Sequence, residues 1–154
     1  MPVSGLHRPA ARFVLAGEVW EAPTLDLMIA ECGTGDIIHA GTFFGDFLPG
    51  LSAGVADGAK IWAFEPHPES FRCALLTVLL NDLENIELSN AGVGDRQESG
   101  LLVTRDFDGI SLGGASQILP GVDEQRDIRG TNRVPTSLVT LDKTIPSDRT
   151  VSIL

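Results

Sequence analysis

Between Ile37 and Glu69 two short apolar runs alternate with two turns of different chemistry, and this block limits the possible folds more than any other part of the sequence. Ile37-Ile38-His39-Ala40 is short and flanked by turn residues, as a buried strand is. Gly41-Thr42-Phe43-Phe44-Gly45 follows at once. Behind it Phe44, Phe47, Leu48, Leu51 and Val55 recur at helical spacing, which predicts one buried helix face closed by Asp57-Gly58. Pro49 belongs to the first turn of that helix, where its missing N–H costs little. Lys60 to Phe64 is a second strand, and Glu65-Pro66-His67-Pro68-Glu69 turns into a second helix. Phe71, Leu75, Val78 and Leu79 are its predicted buried face, with Asn81-Asp82 as its stop. Asn85 to Ser89 is a third strand, more polar and therefore expected near a sheet edge.

Strands that alternate with helices pair in parallel through right-handed crossovers. The predicted fold class is therefore α/β, a Rossmann-like doubly wound and mostly parallel sheet. Residues 1–24 read as an N-terminal extension and 25–154 as the domain, which opens with a helix through Leu25, Leu27, Met28 and Ile29. Gly100 to Thr104 and Val134 to Leu141 are further strands. Between them, residues 105–131 lack periodicity and read as a lid or an unordered stretch. Val151 to Leu154 opens one more strand, so the sheet is expected to be incomplete at its C-terminal side. An unpaired edge and bare apolar surface predict self-association into a homo-oligomer.

Composition narrows the function. A formal charge of −10 over 154 residues, with Lys and Arg scattered, excludes nucleic acid and anionic membrane as main partners. Cys32 and Cys73 lack zinc-site spacing and read as small buried thiols in a reducing compartment. No apolar stretch reaches signal-peptide or membrane-span length, so a cytoplasmic location is expected. Asp106, Asp108, Asp123, Glu124 and Asp127 lack calcium-loop spacing and read as a solvated acidic surface; no metal is expected. Ser111 and Ser116 have no nucleophile setting.

In an open parallel sheet, ligands bind at the carboxyl ends of the strands. Gly41 and Gly45 end the first strand, where glycine admits a ligand close to the backbone. Glu65 ends the second, 20 positions after Gly45, about the separation at which a carboxylate meets a ribose diol. Asn90 ends the third and could border the base or simply close the strand as a turn residue; Phe43 could flank the ligand or pack in the core. His39 faces the same place and could be a cofactor contact or a hydrogen-bonded strand-end residue. His7 and His67 are expected in solvent, Trp20 and Trp62 in the core. The loop reads G-x-x-x-G rather than G-x-G-x-x-G, with two phenylalanines where a pyrophosphate would lie. A ribose-bearing cofactor without a pyrophosphate fits better, and S-adenosylmethionine is the commonest of these.

Several blocks resemble the FkbM-type methyltransferases. Gly35 to Gly45 is similar to that family's GDxxxDxGAxxG, and Ala63-Phe64-Glu65-Pro66-His67-Pro68-Glu69 to its A-F-E-P-x-P-E. Leu80 to Ile86, Asn90 to Asp95, Val134 to Asp142 and Val151 to Leu154 resemble later blocks in the same order. The resemblance implies transfer of a methyl group from S-adenosylmethionine to a hydroxyl of a small molecule or glycan. It assigns no catalytic base, and the family's K-x-D-x-E-G block has no counterpart, so the chain by itself is expected to be inactive. His39 stands where the family carries Asp; Glu21 or Asp46 could supply the missing charge. Two other readings stay open, a nicotinamide-dependent oxidoreductase and a non-catalytic interaction domain.

Overall fold

The computed structural model describes residues 1–120 and 132–154. Strands β1 (Asp36–Ala40), β2 (Ile61–Phe64) and β3 (Ile86–Ser89) are joined by helices α3 (Leu48–Gly54) and α4 (Pro68–Leu80). Together with β8 (Val151–Ile153) they form a parallel sheet in the order β3-β2-β1-β8, with β3 at an edge as its polar sequence predicts. The α/β, Rossmann-like expectation therefore holds. Every residue of β2 is buried, as a central parallel strand covered on both faces must be.

The two faces differ because neighbouring side chains on a strand point opposite ways. Ile37, Ile61 and Ala63 face α3 and helix α2 (Ala22–Cys32), packing with Leu25, Cys32, Leu48 and Leu51. Ile38, Trp62 and Phe64 face the other way, onto Val93, Val139, Leu141 and Ile145. Those four come from strand β4 (Gly92–Val93), strand β7 (Arg133–Val139), the one-turn helix α5 (Leu141–Thr144) and the residue after it. A second, mixed sheet in the order β4-β7-β5-β6 includes β5 (Glu98–Val103) and β6 (Gln117–Pro120), and β5 runs antiparallel to both of its neighbours.

Asp36 ties the parallel sheet together. It is 1% exposed and accepts from Lys60 N at 2.9 Å, Trp62 Nε1 at 2.7 Å and Arg149 Nε at 2.8 Å, with Arg149 Nη2 on its other oxygen. Burial pushes its carboxyl up, but the Arg149, Trp62 and Lys60 hydrogen bonds outweigh this and bring it down to about 2.

Two helix expectations need correction. The first crossover helix begins at Leu48, and Phe44 and Phe47 precede it. Gly41, Phe43 and Gly45 have φ of 79°, 53° and 79°, so no right-handed helix can run through them. On α4, Leu75 and Leu79 are exposed, and the buried residues are Ser70 and Ala74. The cause is close approach: a Cβ on Gly45 would lie 3.3 Å from Ala74 Cα, so only small side chains fit between α4 and that turn.

The segment read as an extension contains a short 3-10 turn (Val3–Gly5) and helix α1 (Pro9–Leu15), and α2 starts before residue 25. Of the stretch 105–131, residues 105–120 hold a turn stapled by Asp106, whose carboxylate accepts from Asp108 N and Ile110 N, and then β6. The acidic residues Asp123, Glu124 and Asp127 lie outside the described residues. Among the described residues no helix is long and apolar enough to cross a membrane, and no cluster could hold a metal ion.

Candidate functional site

At the carboxyl end of β1 a cavity of about 310 Å³ opens between the Gly41–Phe47 turn, the N-terminal part of α2 and Ala10 of α1. His39, Gly41 and Phe43 line it, as do Trp20, Glu21 and Asp46. Gly41 has a positive φ, and a Cβ there would meet no atom within 4 Å. Its conformation serves the turn while its surface stays open to a ligand.

The cavity is acidic. Burial raises Asp46 to about 6; its own backbone amide opposes this, and the charge of nearby Glu21 adds to it. Glu21 itself sits in the left-handed region at φ 47°. Among the described residues no Lys or Arg lines it. His39 does not balance the charge, because burial lowers it to about 4 and leaves the imidazole neutral near pH 7. Its Nδ1 lies 2.8 Å from Thr42 Oγ1, and its ring stacks on Phe47 at 5.6 Å and 7°.

Glu65, at the end of β2, is 6% exposed and grips two segments at once. Oε2 accepts from Phe43 N at 2.7 Å and Oε1 from His67 N at 2.8 Å. Burial raises its carboxyl to about 7 against the pull of those two amides. The bond to Phe43 helps hold that residue at φ 53°, a left-handed conformation that costs a side chain about 1 kcal/mol. Each carboxylate oxygen keeps a free lone pair for a further donor.

The expected site residues thus divide. His39, Gly41 and Phe43 share the cavity, and Glu65 joins it through the Phe43 amide. Asn90 braces the same turn, its Nδ2 donating to the Glu65 carbonyl at 2.7 Å. Gly45 faces Leu48 and Ala74 and serves packing. His67 is not in solvent: it is buried at the N-cap of α4, its Nδ1 accepting from Glu69 N at 3.2 Å. His7 is exposed, as expected; Trp62 lies in the core on one face of the sheet, and Trp20 packs half-buried against the core on the other face.

The N-terminal segment was the part of the site least visible in the sequence. Ser4 donates through N and Oγ to Glu69 at the start of α4, and Phe43 packs at van der Waals range of Gly5. Arg8 donates to the carbonyls of Ser111 and Leu112. Residues 2–8 therefore clasp the Phe43 turn, α4 and the β5–β6 connection. Larger clefts lie elsewhere, one of about 700 Å³ between Val93–Gln97 and Thr140–Lys143, but no expected site residue lines it.

No family model matches the chain, and neither does any curated protein. Among solved structures, a chain described as an rRNA-methylase from Clostridium thermocellum is similar at 12% identity and a TM-score of 0.42 over 46% of this chain and 39% of its own. A SAM dependent methyltransferase from Aquifex aeolicus is similar at 21% identity and a TM-score of 0.43 over 56% of this chain and 43% of its own. The chain spans about two fifths of the length of each.

Proposed function

We propose that the end of β1 and β2 receives S-adenosylmethionine and that the chain is the cofactor-binding part of a methyltransferase. The observation that carries this reading is Glu65: a buried carboxylate at the end of the second parallel strand, fixed by two amides, with a free lone pair on each oxygen for adjacent ribose hydroxyls. The residues also fit the cofactor's other end. Asp46 and Glu21 form an anionic wall suited to an ammonium group, and they take over the charge that His39 cannot supply.

A dinucleotide fits less well. The N–H of Phe43, a donor that a pyrophosphate would need, is spent on Glu65, and the Phe43 and Phe44 rings pack at 4.9 Å in that turn. Glu65 is 6% exposed and does not itself line the cavity, so a ribose reaches it only when part of its cover moves aside.

When bound, S-adenosylmethionine supplies a sulfonium methyl group for in-line transfer. The chain's own part is to bind and orient: Glu65 fixes the ribose, Asp46 and Glu21 hold the ammonium, and Trp20 and Phe47 exclude water. The acceptor is a hydroxyl of a small molecule or glycan, a reading that rests on the FkbM-type blocks. No residue is assigned as a base. Two free thiols, Cys32 buried and Cys73 half-buried, suit a reducing, cytoplasmic setting.

Titration calorimetry with S-adenosylhomocysteine tests the reading. Binding is expected, weakened on the order of tenfold or more by Glu65→Gln, since a charge-assisted pair of hydrogen bonds is lost. Binding of NAD without S-adenosylhomocysteine overturns it in favour of an oxidoreductase. Binding of neither favours an interaction domain.

A further inference from the structure

α4 packs on α3 and β3 through its small residues and leaves its leucines outside. Leu75, Leu76, Leu79 and Leu80 are 39, 54, 61 and 80% exposed. At 3.6 residues per turn they cover an arc of about 140° on one side of the helix. Together they expose more than two whole leucine surfaces, on the order of 400 Å², the size at which an apolar patch on a soluble chain has a purpose.

Charge indicates what covers it. The chain carries a formal −10, so two copies repel over most approaches. From Ser70 to Leu80 the only charged residue is Arg72, and the carboxylate of Glu69 is engaged by Ser4. Within Ser70 to Leu80 this face therefore carries no acid, and the nearest is Asp82, just beyond the C-terminal end of the helix. Arg72 and Asp82 lie at opposite ends of the leucine stripe, both exposed. An antiparallel pairing of two α4 helices about a two-fold axis between Leu76 and Leu79 sets each Arg72 beside Asp82 of the other copy.

We propose that the chain forms a homodimer through α4, packed antiparallel on itself. A two-fold contact is self-complementary, which a symmetric leucine stripe with opposite charges at its ends satisfies. The leucines alone remove at most about 800 Å² from water across the pair, below the about 1,200 Å² of a standard specific interface and in the range of weak, transient ones. The dimer is therefore a weak, reversible one rather than an obligate one.

Analytical ultracentrifugation of the whole chain from 5 to 200 µM (roughly the range over which such an interface titrates) tests this. A reversible monomer–dimer equilibrium is expected, abolished by Leu76→Arg with Leu80→Arg at unchanged melting temperature. The variant Asp82→Arg, at an exposed residue beyond the helix with φ 49°, should weaken the dimer about tenfold, and Arg72→Asp combined with it should restore the dimer. A monomer throughout the range overturns the proposal. So does a dimer that survives the arginine pair, which would put the contact elsewhere, such as the free edge of β8.

Discussion

Raising Glu65 to about 7 has a consequence for ligand binding that can be measured directly. A ribose diol donates to the carboxylate, so it binds the ionised form. At pH 6 about one Glu65 in ten is ionised, and at pH 8 about nine in ten. Affinity for S-adenosylhomocysteine should therefore rise about tenfold between these values, or about 1.4 kcal/mol, and level off above pH 8. Asp46, at about 6, adds roughly a further factor of two, while His39, at about 4, stays neutral across the window and adds nothing. Binding at pH 6 should release about 1.4 protons, roughly 0.9 from Glu65 and 0.5 from Asp46, visible as a dependence of the calorimetric heat on the buffer's ionisation enthalpy. Glu65→Gln should keep only the twofold part. An affinity that is flat between pH 6 and 8, or a tenfold slope that survives Glu65→Gln, would refute the argument.

Stability should respond to the same group with the opposite sign. A carboxyl raised on folding stabilises below its unfolded value of 4.5 and loses that contribution as pH rises through about 7, so Glu65 by itself should cost unliganded protein about 1 kcal/mol from pH 6 to 8. Over that range the wild type should lose about 3 °C in melting temperature relative to Glu65→Gln, in which Asp46 and His39 still titrate. Arg149→Met leaves Asp36 buried with two donors fewer; because Arg149 is partly exposed, the cost should be about 2–3 kcal/mol rather than the full value for a buried pair, or about 6–9 °C. Asp36 is lowered on folding, so its contribution is present above 3.8 and fades toward pH 2; the wild type and Arg149→Met should converge as acid is added. Gly45→Ala should destabilise more than Gly41→Ala, by about 1–2 kcal/mol in denaturant titrations, because both carry a positive φ but only Gly45 faces Leu48 and Ala74. Equal losses would show that backbone strain alone governs both sites.

The parallel sheet was legible because each strand is a short apolar run beside its own turn residues. β1 and β2 fall where Ile37 to Ala40 and Lys60 to Phe64 place them. α4 was read correctly in extent and in part of its face: Val78 packs against the core, whereas Leu75 and Leu79 do not. Periodicity counts large apolar residues, whereas the approach of Ala74 to Gly45 selects small ones, and Leu75 and Leu79 were displaced outward. In the site, Glu65 and Gly41 followed from the position of turns after strands. His67 did not, because capping turned a surface-like histidine inward. Both members of the acidic wall, Glu21 and Asp46, were legible as substitutes for the charge that His39 lacks, although Glu21 comes from a segment without pattern. The clasp by Ser4 and Arg8 left no local signal, since its partners are distant and two of them are backbone carbonyls.

Ser4 reaches a partner 65 residues away and Arg8 one 104 residues away, so these bonds close two of the longest loops in the chain. Loop-closure entropy makes such contacts late arrivals in folding, after the local crossovers of β1, β2 and β3 have formed. The sheet can then stand before the mouth of the site does. An early folding species would have a formed Glu65 turn and an uncovered Phe43, open to a nucleoside before the N-terminal segment lies down. A ligand captured at that stage would serve as the surface on which residues 2–8 settle, and the order of events in folding would also set the order of entry to the site.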